Sequence, residues 1–356
     1  PAEPRPAPAP SRRAATERRA GAPRFGVIGA GSFATSKLIP GLIAAGLEPV
    51  AIASASGLSA EGAREQFGFA GSHASAEELI SRDDLELVAI ATRHDSHAAL
   101  AAQALERGIA VYVEKPLALD WEGLAAVRQA AERSGAPLIV GFNRRFAPLA
   151  GELRALPGPR LMGYRVNAGP LPPEHWTNDL ASGGGRLKGE GCHFIDFLCD
   201  QAGADAVSVT ARGFGSSPQL PRAAADNFSV EIGFADGSTG TLHYAADAPA
   251  GPGKERFEVS APGAFGVIDD FRSGELWRGR KRSRLGGRRQ DKGFDAQYRW
   301  IRAVAAGEQP AAPLDGYVVS TLATLAAARA LETGEQEPVV EGRLEAGSTE
   351  APDTTP

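Results

Sequence analysis

A doubly wound parallel α/β sheet, followed by an open, mostly antiparallel sheet with helices on one face, is the architecture this sequence predicts. Three observations predict it. The apolar run Phe25–Ile28 enters a glycine turn, Gly29-Ala30-Gly31-Ser32-Phe33-Ala34, and leaves into a helical pattern. Short β-rich runs then alternate with Ala/Leu/Glu segments of helical character up to about residue 146. Beyond that point the strands lengthen, alternate in polarity and are joined by turns such as Ala235-Asp236-Gly237.

In the first half, strands are expected at Phe25–Ile28, Val50–Ser54, Leu87–Ala91, Val111–Val113 and Leu138–Val140, with helices such as Ser96–Glu106 and Trp121–Ser134 between them. In the second half, strands are expected at Leu161–Asn167, Val207–Gly213, Phe228–Phe234, Gly240–Ala246 and Arg256–Ala261. Helices are expected at Glu190–Gln201, Phe294–Ala305 and Val318–Thr333, the last two returning to cover the first domain or one sheet face. The expected division is a Pro/Ala/Arg tail over residues 1–22, a first domain over 23–146, a second over 147–343 and a second tail over 344–356. Neither tail shows the apolar periodicity needed to offset its ordering entropy.

Composition narrows the function classes. The 356 residues allow two domains, and 43% hydrophobic with 23% charged residues is an ordinary globular balance. No apolar run suits a bilayer span, and a net charge of −5 with no basic stripe among aromatics argues against nucleic acid. The basic run Arg278-Gly279-Arg280-Lys281-Arg282-Ser283-Arg284, continued by Arg288-Arg289, reads first as a solvated loop. Two cysteines, Cys192 and Cys199, would lie about 10 Å apart along one helix, too far for a bridge, which fits a reducing cytoplasm. The proline-rich start without an initiator Met suggests processing or a longer parent polypeptide.

The glycine turn carries the first chemistry. Gly29 suits a tight turn, Gly31 lets a pyrophosphate approach the backbone, Ala34 lets the helix pack on its strand, and the free N–H groups around Ser32 and Phe33 face the phosphates. NAD or NADP is the cofactor this implies. The second strand ends at the neutral Ser54, where a carboxylate would grip a ribose 2′-hydroxyl; the nearest downstream arginine is Arg64, and the charge argument leans slightly to NADP. Glu114-Lys115-Pro116 ends the fourth expected strand at the ligand-binding edge, where Lys115 can donate to a substrate oxygen; from these residues alone, a Glu114–Lys115 surface pair stays open. Asn143 and Arg144 follow the fifth strand and could contact substrate, with an interdomain salt bridge for the arginine as the alternative. His175 and Trp176, with Gly183-Gly184-Gly185, suggest a flexible aromatic-bearing loop, in which Trp176 stacks on a sugar face or packs under the loop itself. Cys192, His193, Asp196 and Cys199 share one helix but point several ways, so no metal site is expected.

Four motifs in order resemble the Gfo/Idh/MocA oxidoreductases: the G-x-G-x-x-A turn, Ala91-Thr92-Arg93-His94-Asp95-Ser96-His97, Glu114-Lys115-Pro116, and Gly184-Gly185 followed by His193-Phe194-Ile195-Asp196. The resemblance spans about Arg24 to Val340. It implies a Rossmann domain followed by an open sheet through which copies form dimers or tetramers. It also implies that Thr92, His94 and His97 lie on the nicotinamide side, that Glu114 and Lys115 contact cofactor and substrate, and that Pro116 is cis. The family places an Asp four residues before the helix His; here that position is Gly189, and Glu190 stands one place later, able to share a helix face with His193 and orient the imidazole or the substrate. The Gly189–Asp196 segment is also similar to two-module proteins in which a zinc-alcohol-dehydrogenase-like part comes first.

The expected activity is hydride transfer between nicotinamide and a secondary alcohol or ketone of a sugar, sugar derivative or cyclitol. His193 would exchange the hydroxyl proton, Lys115 would polarise the reacting oxygen, and Glu190 would assist. Two other readings are a dinucleotide-binding regulator without turnover and an enzyme that recycles its NAD within each turnover.

Overall fold

The computed structural model describes residues 21–214, 226–249, 251, 253–287 and 289–340. Apart from Gly21 and Ala22, the two expected tails lie outside these residues, as does Arg288.

The first sheet has six parallel strands in the order β3-β2-β1-β4-β5-β6. They are β1 (Arg24–Ile28), β2 (Glu48–Ala53), β3 (Gly71–His73), β4 (Leu87–Ile90), β5 (Ala110–Val113) and β6 (Leu138–Val140). Helices α1 (Ile39–Ala44), α2 (Gly57–Phe67), α3 (Ala76–Ile80), α4 (His97–Glu106) and α5 (Trp121–Ser134) cover its two faces. The central strands are apolar throughout because both faces are covered: every residue of β4 is fully buried. Strand β3 escaped the sequence reading, since Gly-Ser-His is short and only partly buried at the sheet edge. Asp120 caps α5 by accepting from Gly123 N at 2.7 Å, and Gly135, at φ 67°, closes it.

After α6 (Pro148–Arg154) comes a nine-stranded sheet in the order β14-β13-β12-β11-β7-β10-β9-β8-β15. Its strands are β7 (Leu161–Asn167), β8 (Ala206–Gly213), β9 (Asn227–Phe234), β10 (Thr239–Ala245), β11 (Glu255–Ala261), β12 (Ala264–Asp269), β13 (Ser273–Arg278), β14 (Lys281–Gly286) and β15 (Glu337–Pro338). Only β7 and β10 pair in parallel. Alternate residues Tyr164, Val166, Val230, Leu242 and Phe257 turn inward onto α7 (Cys192–Ala202), where Tyr164 meets Phe194 and Phe197 at ring separations of 5.0 and 5.4 Å. The basic run expected as a loop is instead a hairpin at the sheet edge: Arg278 ends β13, Gly279-Arg280 turn, and Lys281–Arg284 begin β14, where Arg282 pairs with Glu275 and lies over Trp277. Both cysteines are free and buried.

The closing helices tie the halves together. α8 (Phe294–Ala305) returns to the first domain, with Tyr298 so close to α1 that a Cβ on Gly41 would sit 2.2 Å from its ring. α9 (Leu314–Thr333) is buried on both sides, contributing Tyr317 and Leu322 to the first core and Ala326 and Leu331 to the second. Among the described residues, no helix is long and apolar enough to cross a membrane.

Candidate active site

The carboxyl ends of the parallel strands open into a cavity of about 270 Å³ between the two domains. At its rear lies the glycine turn. Gly29 has φ 105°, and a Cβ there would come within 2.4 Å of Ala91 O, so backbone alone fits. Gly31 is the opposite case: a Cβ there would meet nothing within 4 Å, leaving an open cradle in front of the backbone. Ala34 is buried under a π turn, Ala34–Leu38, that leads into α1, while Ser32 is exposed and Phe33 faces the cavity. These residues fit a pyrophosphate. At the end of β2, Ser54 Oγ lies 3.0 Å from Ser59 Oγ, and Arg64 is already paired with Glu61 at 2.6 Å. That downstream guanidinium is therefore already paired with a carboxylate.

Thr92, His94, His97, Glu114, Lys115 and Asn143 all reach the cavity wall. His97 is fully buried, with Nδ1 2.8 Å from Pro116 O and Nε2 3.3 Å from Thr92 O. It ties the end of β4 to the Lys115-Pro116 segment, whose peptide bond is cis. Burial pushes its pKa down to about 4, so the ring is neutral. Glu114 accepts from the Tyr112 hydroxyl, and its own burial raises its pKa. Lys115 Nζ donates to Gly189 O at 2.9 Å, which links the strand end to the helix carrying His193.

His193 lines the cavity beside Phe142 at 6.2 Å. Burial, then the cations Arg144, Lys115, Lys254 and Lys292, hold its pKa well below 6.5. Its Nδ1 is buried without a hydrogen-bond partner. This corrects the expected part of Glu190, which does not orient the imidazole. Glu190 instead accepts from Tyr244 Oη at 2.6 Å and Lys254 Nζ at 2.7 Å, and the Lys254 ammonium, with the Tyr244 hydroxyl and the Arg186 guanidinium, pulls its pKa down to about 2 against its burial. The cause is the π turn Leu187–Gly191, which breaks the α-helical spacing assumed between positions 190 and 193.

Of the two parts left open for Arg144 the structure takes the interdomain salt bridge and not the substrate contact: the side chain is withdrawn from the cavity into a bidentate pair with buried Glu255, at 2.7 and 2.8 Å. Glu255 also accepts from Tyr164 and Lys292, and the Arg144 guanidinium, then the Lys292 ammonium, hold its carboxyl below the usual range against its burial. Asn143 stays on the wall but spends its amide on Lys292 O at 2.7 Å. Trp176 lies edge-on to His94 at 4.6 Å, whereas His175 stays off the wall and accepts from Thr177 N within its own turn. The glycines expected to be flexible are buried: a Cβ on Gly183 would sit 2.4 Å from Thr177 Cα. Asp196 is taken up by Arg145. Among the described residues no group of three His, Cys, Asp or Glu is placed to hold a metal. Phe294 was missed by the sequence reading; it reaches the cavity from α8 and meets Phe33 at 6.2 Å, a contact between distant segments with no local signal.

Two family models match this chain: the NAD-binding Rossmann-fold oxidoreductase domain over residues 23–142 and the GFO/IDH/MocA C-terminal domain over residues 160–262. The chain belongs to the Gfo/Idh/MocA oxidoreductase family. Among its Gfo/Idh/MocA relatives is an uncharacterised oxidoreductase of Rhizobium meliloti, 35% identical over 177 residues, which are 46% of this chain and 51% of the relative. A levoglucosan dehydrogenase of Pseudarthrobacter phenanthrenivorans is 28% identical over 254 residues, covering 62% of this chain and 64% of that one. The match thus spans about half to two thirds of these relatives. The crystal structure of an oxidoreductase domain protein from Kribbella flavida superposes with a TM-score of 0.80 at 20% identity, over 90% of this chain and all of that one, which shows the shared fold.

Proposed function

We propose that the protein is an NAD(P)-dependent oxidoreductase acting on a secondary alcohol or ketone of a sugar, sugar derivative or cyclitol. The observation that carries this reading is the joining of Lys115 to Gly189 O at 2.9 Å, which puts the ammonium and the His193 imidazole on one wall of a cavity that begins at a dinucleotide turn. The name of the levoglucosan dehydrogenase relative supports the substrate class.

When bound, the nicotinamide supplies the hydride acceptor or donor. Gly29, Gly31 and Ala34 would hold the pyrophosphate, and Thr92, His97 and Glu114 would border the ring. Lys115 donates to the reacting oxygen and stabilises charge as it develops there. His193, kept neutral by its burial and then by the surrounding cations, is in the protonation state that accepting a hydroxyl proton requires. Trp176 presents an apolar edge to the substrate. The neutral Ser54 and the paired Arg64 leave NAD and NADP both admissible. The face of the nine-stranded sheet carrying Ser229, Glu231, Thr241 and His243 offers the surface for self-association, which sedimentation would test.

The test is absorbance at the reduced-nicotinamide band as sugars, uronic acids, inositols and nucleotide sugars are added with each cofactor. A signal from one class establishes the dehydrogenase. Tight cofactor binding with a flat trace throughout overturns net oxidation or reduction. That outcome would favour the regulator, consistent with Glu190 being engaged elsewhere, or an enzyme that recycles its cofactor.

A further inference from the structure

We propose that His94 is a specificity-determining residue whose Nε2 accepts a hydrogen bond from a substrate hydroxyl neighbouring the reacting carbon. The inference rests on the polyol reading above. Three observations carry it.

The imidazole is fixed from every side the chain provides. Nδ1 lies 2.7 Å from Gly183 O, the Trp176 ring stands edge-on at 4.6 Å, and His97 closes the remaining flank at 5.6 Å. A carbonyl can only accept, so Nδ1 carries the hydrogen and Nε2 holds the lone pair. The ring is neutral: burial, then the neighbouring Lys115 ammonium, lowers its pKa to about 3. Nε2 therefore remains an acceptor across the working pH range.

The second observation is space. A Cβ at Gly189 would sit 3.1 Å from His94 Cε1 and 3.0 Å from both Gly183 O and Thr177 Cγ2. The glycine makes room for the ring on the helix that carries His193. Third, His94 lines the cavity together with Lys115 and His193, and among the described residues Nε2 has no partner in the chain. An oriented acceptor beside the ammonium that holds the reacting oxygen suits the hydrogen of an adjacent hydroxyl, as a vicinal diol supplies.

The two ring nitrogens can be tested separately. In His94→Asn the amide nitrogen takes the place of Nδ1 and keeps the Gly183 bond while Nε2 is deleted. In His94→Gln an amide oxygen returns an acceptor near the Nε2 position. Polyol binding to the NADH or NADPH complex is followed by tryptophan fluorescence, which Trp176 should report whether or not turnover occurs. His94→Asn should weaken polyol binding roughly 10- to 100-fold, with cofactor affinity and melting temperature retained, and His94→Gln should recover part of the loss. Wild type should discriminate against the substrate lacking the adjacent hydroxyl, and His94→Asn should not.

Equal polyol affinity in wild type and His94→Asn overturns the assignment, as does a loss that Asn and Gln share together with cofactor affinity. Polyol binding without turnover in wild type would count against the oxidoreductase reading alone. Wild type that binds no polyol at all would overturn both.

Discussion

Acidification should destabilise this fold through its buried histidines, and the size can be worked out. His97 has a folded-state pKa near 4 and His94 near 3, against an ordinary value of 6.5. Both are depressed, so each contributes stability that is present above pH 6.5 and lost as pH falls toward the folded value. Between about pH 7 and about pH 4.5 each group costs roughly 2.5 kcal/mol, or about 5 together. Carboxyls raised by burial, Glu114 and Asp196 among them, oppose the histidines. Burial raises the Asp196 pKa to about 6 despite the Arg145 partner, so the folded state takes up a proton there before the unfolded state does. Over the same interval Asp196 returns roughly 2 kcal/mol. The loss from these two rings, to which the likewise depressed His193 adds, is a large fraction of the 5–15 kcal/mol that ordinarily holds a domain together. The perturbation that isolates the cause is His97→Gln, which cannot titrate. Urea unfolding at both pH values should show the variant weaker near neutrality, because the links to Pro116 and Thr92 are impaired, yet losing about 2 kcal/mol less than wild type on acidification. Parallel losses in the two proteins would refute the assignment of the acid sensitivity to His97.

Three further outcomes are expected. Lys115→Met should lower turnover by about two orders of magnitude or more with reduced-cofactor affinity nearly retained, and unchanged turnover measured by absorbance would remove Lys115 from the chemistry. Gly31→Val should leave the melting temperature of the unliganded protein unchanged, since a Cβ there meets nothing, yet weaken dinucleotide binding at least about tenfold by calorimetry; retained affinity would place the cofactor elsewhere. Arg144→Met should destabilise the fold by roughly 3–5 kcal/mol in urea titration, because Glu255 keeps only Tyr164 and Lys292. It should also raise the His193 pKa, read by NMR titration, by removing the foremost cation acting on that ring.

Much of this site was legible in sequence because its signals are local. Gly29 answers to a backbone angle and one carbonyl contact, Lys115 to its place at a strand end, and β4 and β5 to continuous apolar runs that only a sheet covered on both faces allows. What failed depended on partners far along the chain. Arg144 was open between substrate and a salt bridge until Glu255, 111 residues away, decided it, and Glu190 is held by Tyr244 and Lys254, 54 and 64 residues on. The departure at Glu190 also has a backbone cause that no residue pattern announced. Two of the helices that open onto the cavity begin in a π turn, Ala34–Leu38 behind the glycine cradle and Leu187–Gly191 before His193. A π turn shifts backbone pairing by one residue and widens the helix, which gives a carbonyl room for a donor from outside. Gly189 O takes Lys115 Nζ in that room, and the absence of a side chain at the same residue admits the His94 ring. One glycine in a widened turn thus brings together a strand-end ammonium, a helix imidazole and a loop imidazole contributed by three segments of the chain.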